Sequence, residues 1–141
     1  MENLITVQGM ALLEEGESDV VALVFRILGN AKKEYRNGYY VTSESYSVNG
    51  KAHVTVQVVR DNQYRMLVIK CIKGVSEIKR GRISLIGYMS EYDYPNGMLI
   101  CGQYSEFYTL DTKDKNAVPV GGSAFNNSTQ ISLVVETVAR M

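Results

Sequence analysis

At 141 residues the chain has the length of one ordinary domain, enough to bury a single self-sufficient core. Hydrophobic residues make up 45% and charged residues 21%, values that exclude a disordered, collagenous or coiled-coil chain. Lys and Arg number 15, as do Asp and Glu, so the formal net charge is zero; this counts against indiscriminate high-affinity polyanion binding, although a cluster of cations on one face still creates a local field.

Taken in chain order, the runs rich in β-branched and aromatic residues predict strands, and little in the sequence sustains a 3.6-residue period. Leu4 to Leu13 and Val20 to Leu28 flank a polar connector (Glu14 to Asp19) and predict an N-terminal β-ribbon over residues 1–29. Asn30 to Asn37, with Lys32, Lys33 and Arg36, is expected to be a loop or at most one helical turn. Asn37-Gly38 opens a strand from Tyr39 to Val48. Asn49-Gly50 then joins it to Lys51 to Arg60, since Asn-Gly is the preferred type I′ hairpin turn. In the second of these strands Ala52, Val54, Val56 and Val58 share one face, with His53, Thr55 and Gln57 on the other.

Asp61-Asn62 turns the chain into Tyr64 to Lys73. Val75 and Ile78 mark a short helical segment within Gly74 to Gly81. Arg82 to Tyr92 reads as a strand bent at Gly87, because an internal strand glycine commonly marks a bend or bulge. Tyr94-Pro95-Asn96-Gly97 carries turn chemistry, and Met98 to Leu110 is expected to return as its partner strand. Asp111 to Asn116, Gly121-Gly122 and Asn126 to Thr129 read as irregular segments before a closing strand, Ile131 to Val138, whose Ile131, Leu133 and Val135 alternate with Ser132, Val134 and Glu136. The total is about eight strands in one all-β domain.

The order over residues 50 to 111 is strand, turn, strand, short helix, strand with an internal glycine, protruding hairpin, strand. It resembles the oligonucleotide/oligosaccharide-binding (OB) barrel, which carries a helix between its third and fourth strands. Arg82-Ile83-Ser84-Leu85-Ile86-Gly87-Tyr88-Met89-Ser90, Asn96-Gly97-Met98 and Glu106 to Asp111 are similar to the corresponding stretch of bacterial single-stranded DNA-binding proteins, the primosomal replication protein among them. Asn49 to Val54 resembles that family's strand entry, and Val134 to Val138 a closing strand. The sequence departs from the family in its short Asp61-Asn62 connection, its lack of tryptophan and its N-terminal ribbon. The resemblance implies a five-stranded OB-like core over residues 38–111, an added ribbon, a closing strand over 130–139, and a role in replication or recombination.

Single-strand binding needs base-stacking rings and cations along the backbone. Ten tyrosines against three phenylalanines suit a half-wet stacking face. The expected nucleic-acid-binding residues are Tyr64, Lys70, Lys73, Lys79, Arg80, Arg82, Tyr88, Tyr92, Tyr94 and Tyr104; each cation has a solvated rim, and each ring a packed wall, as its plainer alternative.

Catalytic patterns are sparse. His53 is the only histidine, so no histidine pair is available to ligate zinc. Gly121-Gly122 lacks the lysine and helix of a phosphate loop. Cys71 and Cys101, flanked by branched aliphatics, are expected to be buried free thiols. No apolar run reaches the ~20 residues of a membrane span, and Met1-Glu2-Asn3 lacks a signal's basic region, so the expected location is the cytoplasm. The expected function is non-catalytic binding of single-stranded DNA, with RNA also compatible, by a homo-oligomer that needs no cofactor and no membrane. The alternative is a viral or phage-like structural or assembly protein whose ribbons make subunit contacts.

Overall fold

Glu17–Asn30 forms a helix, α1. Its buried residues Val20, Leu23, Val24, Ile27 and Leu28, continued by Ala31, fall at i, i+3, i+4, i+7, i+8 and i+11, one stripe of a 3.6-residue period. This overturns the expected second strand of an N-terminal ribbon. Val21, Ala22 and Phe25 fill the gaps between stripe positions, which made the run look apolar on both faces. The computed structural model describes residues 17–48, 51–61 and 63–141; the first ribbon strand, Leu4 to Leu13, lies outside them.

After a 3₁₀ turn at Tyr35–Asn37, six strands follow: β1 (Tyr39–Val48), β2 (Lys51–Arg60), β3 (Arg65–Cys71), β4 (Asn96–Ile100), β5 (Tyr104–Asp111) and β6 (Asn116–Asn126). A second 3₁₀ turn, Val75–Glu77, leads into α2 (Ile78–Tyr92) between β3 and β4, and α3 (Asn127–Ala139) follows β6. The sheet order is β1-β2-β3-β4-β5-β6, antiparallel except for the parallel β3–β4 pair that α2 bridges. The all-β, five-stranded barrel expectation is therefore corrected to an open, mixed six-stranded sheet with three α-helices among the described residues. Its ends, β1 and β6, do not pair, so nothing closes.

Four further elements differ from the sequence expectation, the first being β6, a strand over Asn116–Asn126 that runs through the Gly121-Gly122 pair read as irregular. Arg82 to Tyr92 is helix because Gly81, Leu85 and Met89 face the sheet at steps of four, and Gly87 is an exposed helical glycine, not a strand bend. Ile131 to Val138 is helix because Ile131, Val134, Val135 and Val138 are buried at i, i+3, i+4 and i+7, while Leu133 is exposed. Met98 to Leu110 is two strands, β4 and β5, with Cys101 to Gln103 between them. The first hairpin stands as expected: Tyr39 pairs with Arg60 and Val48 with Lys51 in continuous register.

Two cores result. α1 and α3 pack on the face carrying Val56, Leu67, Ile69, Met98, Ile100 and Phe107. α2 packs on the other, against Val68, Leu99, Tyr108 and Leu110. From Met66 to Cys71, β3 is apolar on both faces except at Lys70, as suits a strand inside the parallel pair. Cys71 and Cys101 are buried and form no disulfide, as expected, and lie in different cores.

Asn126 caps α3: its side chain accepts from the Ser128 N–H at 2.9 Å, and its own N–H donates to Gln130 Oε1 at 2.9 Å. The next residue, Asn127, is fully buried. It donates to the carbonyls of Cys101 and Gly102 (3.0 and 3.3 Å) and accepts from Ser105 Oγ at 2.6 Å, pinning the helix to the β4–β5 turn. Lys33, in the segment expected to be a loop or one helical turn, is buried at 6% exposure. Its Nζ donates to the Tyr39 hydroxyl (3.2 Å) and the Met141 carbonyl (3.1 Å).

The outer face of α2 yields one direct test. A Cβ built on Gly87 meets nothing within 4 Å. Gly87→Ala should therefore stabilise the fold by about 0.5 to 1 kcal/mol through helix propensity and a stiffer unfolded chain. Urea denaturation checks this; a destabilised variant would show that the position serves something other than the helix.

Candidate binding site

Alternation along β5 places Tyr104, Glu106 and Tyr108 on the face toward α2, with Ser105 and Phe107 on the other. From α2, Arg82 reaches the same spot. Its Nε donates to Glu106 Oε2 and its Nη2 to Oε1, each at 2.7 Å, a two-pronged pair. The Tyr104 hydroxyl donates to Oε1 at 2.7 Å, and the Tyr108 hydroxyl donates to Oε2. The carboxylate thus accepts four donors, about as many as its lone pairs hold.

These contacts set the protonation states. Burial alone would raise the Glu106 carboxyl, but hydrogen bonds from Arg82, Tyr108 and Tyr104 outweigh it and bring the pKa to about 2. Burial, then the bond to Glu106, pushes both tyrosine hydroxyls above their usual range. The bond to Glu106 holds the Arg82 guanidinium more firmly charged. With its lone pairs occupied and its affinity for protons low, Glu106 is a poor general base at neutral pH. Its role is to fix and neutralise Arg82.

Beside this network lies a cavity of about 560 Å³ between α2, β5 and β6. It exists because β6 bulges. Glu106 pairs with Ala124 and Tyr108 with Pro119, so Val120 to Ser123 stand opposite Phe107 alone. Gly122, at φ +72°, takes the left-handed turn this excursion requires. Ile86, Pro119, Val120 and Ala124 give the cavity apolar walls, and Arg82 and Glu106 its polar end.

Of the expected binding residues, Arg82 and Tyr104 meet in this network. Tyr88, Tyr92 and Tyr94 form a separate cluster on the other flank of α2, with ring centroids 4.6 Å (Tyr88–Tyr92) and 5.9 Å (Tyr88–Tyr94) apart. Tyr94 is buried, and burial, with Tyr88 beside it, raises its hydroxyl. Tyr88 accepts from Gln57 Nε2 at 3.0 Å, and the Arg65 guanidinium sits 5.9 Å over the Tyr92 ring. Lys70 is buried within β3. Lys73, Lys79 and Arg80 are exposed around the start of α2, with Arg80 paired to Glu77 at 2.9 Å. Tyr64 lines a second cavity of about 280 Å³ with Asp93, Pro95 and Lys115.

The expected strip of stacking rings and cations is therefore dispersed over both flanks of α2 and the interior of the sheet. Glu106 and Tyr108 were missed. Their signal was the Tyr104-Ser105-Glu106-Phe107-Tyr108 alternation, which puts a carboxylate between two phenols on one strand face, but nothing in the sequence joins it to Arg82. Among the described residues, no group of three His, Cys, Asp or Glu is placed to hold a metal ion, and no helix is long and apolar enough to cross a membrane. No family model matches the chain. Comparison with curated proteins and with solved structures likewise gives no significant match.

Proposed function

We propose that this is a non-catalytic assembly domain that extends its sheet by pairing β1 with β1 of a second copy. The observation that carries the reading is the contrast between the two sheet edges. β6 is guarded by Pro119 and by the Gly121-Gly122 bulge, both devices that blunt an edge. β1 has ten residues with no proline, glycine, lysine or arginine, and Glu44 is its single charge.

The edge is also aimed outward. The Gly38 carbonyl accepts from the Asp61 N–H, while the Tyr39 N–H turns away to Glu34. Strand alternation then directs the N–H and C=O of Val41, Ser43 and Ser45 away from β2. Tyr35 and Tyr40, 76% and 49% exposed, stack edge to face at 5.7 Å beside it. A run of Tyr, Ser and Thr gives rigid contact area with adaptable hydrogen bonding. An antiparallel two-fold centred on Ser43 sets Glu44 opposite Thr42 of the second copy, so like charges do not meet.

Sedimentation velocity tests this. The wild type is expected to be a dimer. Ser43→Pro, which removes an outward donor and leaves the β1–β2 ladder intact, is expected to be a monomer with an unchanged circular dichroism spectrum. A wild type that stays monomeric at the highest soluble concentration, or a dimeric Ser43→Pro, overturns the proposal. A single-stranded oligonucleotide that binds at low salt, weakens with added salt and is lost in Arg80→Ala would replace it with the nucleic-acid reading.

A further inference from the structure

We infer that the cavity beside Arg82 binds a small uncharged molecule, independently of the β1 edge: an apolar body of bicyclic size that carries a hydroxyl group. The cavity follows from side-chain size. On the face toward α2, β6 sets Ala124 opposite Glu106, Pro119 opposite Tyr108 and Ala117 opposite Leu110. Short side chains facing long ones leave about 560 Å³ unfilled, within the roughly 300 to 1,000 Å³ of small-ligand sites. The backbone has no part in recognition. The pairs on either side of Phe107 engage its N–H with the Ser123 carbonyl and its carbonyl with the Val120 N–H, so the bulge leaves no open ladder position on β5. A ligand is read by side chains alone.

Two of these present a donor and an acceptor side by side. Arg82 Nη2 and the Tyr104 hydroxyl oxygen each lie 2.7 Å from Glu106 Oε1. The tyrosine's one proton is spent on that carboxylate, so its oxygen offers a ligand lone pairs only. Arg82 spends Nε and one Nη2 hydrogen on Glu106, and its other N–H groups belong to a 43% exposed side chain. A ligand hydroxyl completes this set, accepting from the guanidinium while donating to the phenol oxygen. An ether can make only the first of these bonds.

Charge is selected against. The guanidinium and the carboxylate cancel, so an anion drawn to Arg82 also meets Glu106 and the Tyr104 lone pairs, and a cation meets the guanidinium. Ile86 from α2 and Pro119, Val120 and Ala124 from β6 make the remaining wall apolar. A charged ligand therefore loses water there without gaining a counter-charge.

The test uses four probes built on one naphthalene body: β-naphthol, its methyl ether, β-naphthoate (anionic) and β-naphthylmethylammonium (cationic). Each is titrated into the full chain near neutral pH, where the naphthol is uncharged, while NMR follows the amides of Gly122 and Ser123 and the Ile86 methyls. The naphthol is expected to shift these signals with a Kd of about 1 mM. The ether should bind at least about threefold more weakly, and the charged probes at least about tenfold. Tyr104→Phe removes the acceptor while Arg82 and Tyr108 still hold Glu106, so it should erase the naphthol's advantage over the ether. Ala124→Leu fills the cavity from an exposed strand position and should abolish the shifts, with circular dichroism reporting a retained fold. No shift with the naphthol, equal binding of the ether or the anion, an advantage that survives in Tyr104→Phe, or full binding to a folded Ala124→Leu would each overturn the inference. Because these signals lie on α2 and β6, the result is read separately from the β1-dependent sedimentation.

Discussion

Glu106→Gln is expected to destabilise the protein by about 2 to 4 kcal/mol, although it changes one atom of a side chain that makes no contact with the larger core. The amide keeps one acceptor and turns its NH₂ toward an Arg82 N–H, which cannot accept; the Tyr104 or Tyr108 hydroxyl on that side can rotate to accept, but its own hydrogen then loses its acceptor. A buried donor facing donors forfeits its hydrogen bonds and retains its desolvation cost. Arg82→Met should cost somewhat less, about 2 kcal/mol, because water reaches the exposed guanidinium side and can partly solvate the carboxylate left behind. The double variant should lose less than the sum of the two, since no unpaired charge remains. Urea denaturation of the three variants measures this; additive losses would show that the groups act separately.

The same network makes a pH prediction. In the unfolded chain Glu106 protonates near its ordinary value of 4.5, whereas the folded protein keeps it ionised to about 2. Between those values the unfolded state binds more protons, so stability falls as pH falls. The contribution is complete above about pH 5 and is lost progressively as the pH drops through about 2. Glu106→Gln has no such proton to take up. Its stability should change less than the wild type's between neutral and strongly acid pH, and parallel curves would assign acid sensitivity to other carboxylates.

How much of this was legible in the sequence depends on which residues filled the gaps between core positions. The β1–β2 hairpin was readable because the Asn49-Gly50 pair and the Val54, Val56, Val58 alternation agree on one answer. α1 was not, although its stripe Val20, Leu23, Val24, Ile27, Leu28 is a complete helical period, because Val21, Ala22 and Phe25 between the stripe positions made the run look apolar on both faces. In α3 the error had the same source: Leu133, which points to solvent, completed a false alternation with Ile131 and Val135. Tyrosine content identified residues that matter but not their direction. Tyr94 and Tyr108 are core, whereas Tyr35 and Tyr40, on the surface, drew no attention. The Arg82–Glu106 pair joins residues 24 apart in sequence, on elements whose packing only the three-dimensional arrangement defines.

Gly97 gives the other large expected effect, and it explains why Asn96-Gly97 misled. The pair looks like hairpin-turn chemistry, yet Gly97 lies inside β4, between Val68 of β3 and Tyr108 of β5. Its need for glycine is steric. A Cβ there would stand 2.3 Å from Met89 Sδ and 3.2 Å from Leu85 Cδ1, both on the buried face of α2. α2 seats itself on the sheet from its own side as well, because a Cβ on Gly81 would come within 2.8 Å of Ile72 and Leu99. Gly97→Ala forces the fully buried Met89 out of place and should cost about 1 to 3 kcal/mol; Gly97→Val, with two more methyl groups to place, should exceed 3 kcal/mol or prevent folding. Met89→Ala alone should cost about 2 to 5 kcal/mol through the cavity it leaves. Combined with Gly97→Ala it should cost less than the two added, because the new methyl occupies space the thioether vacates. Strict additivity of the two losses would mean that Gly97 is required by the β4 backbone, and not by the closeness of α2.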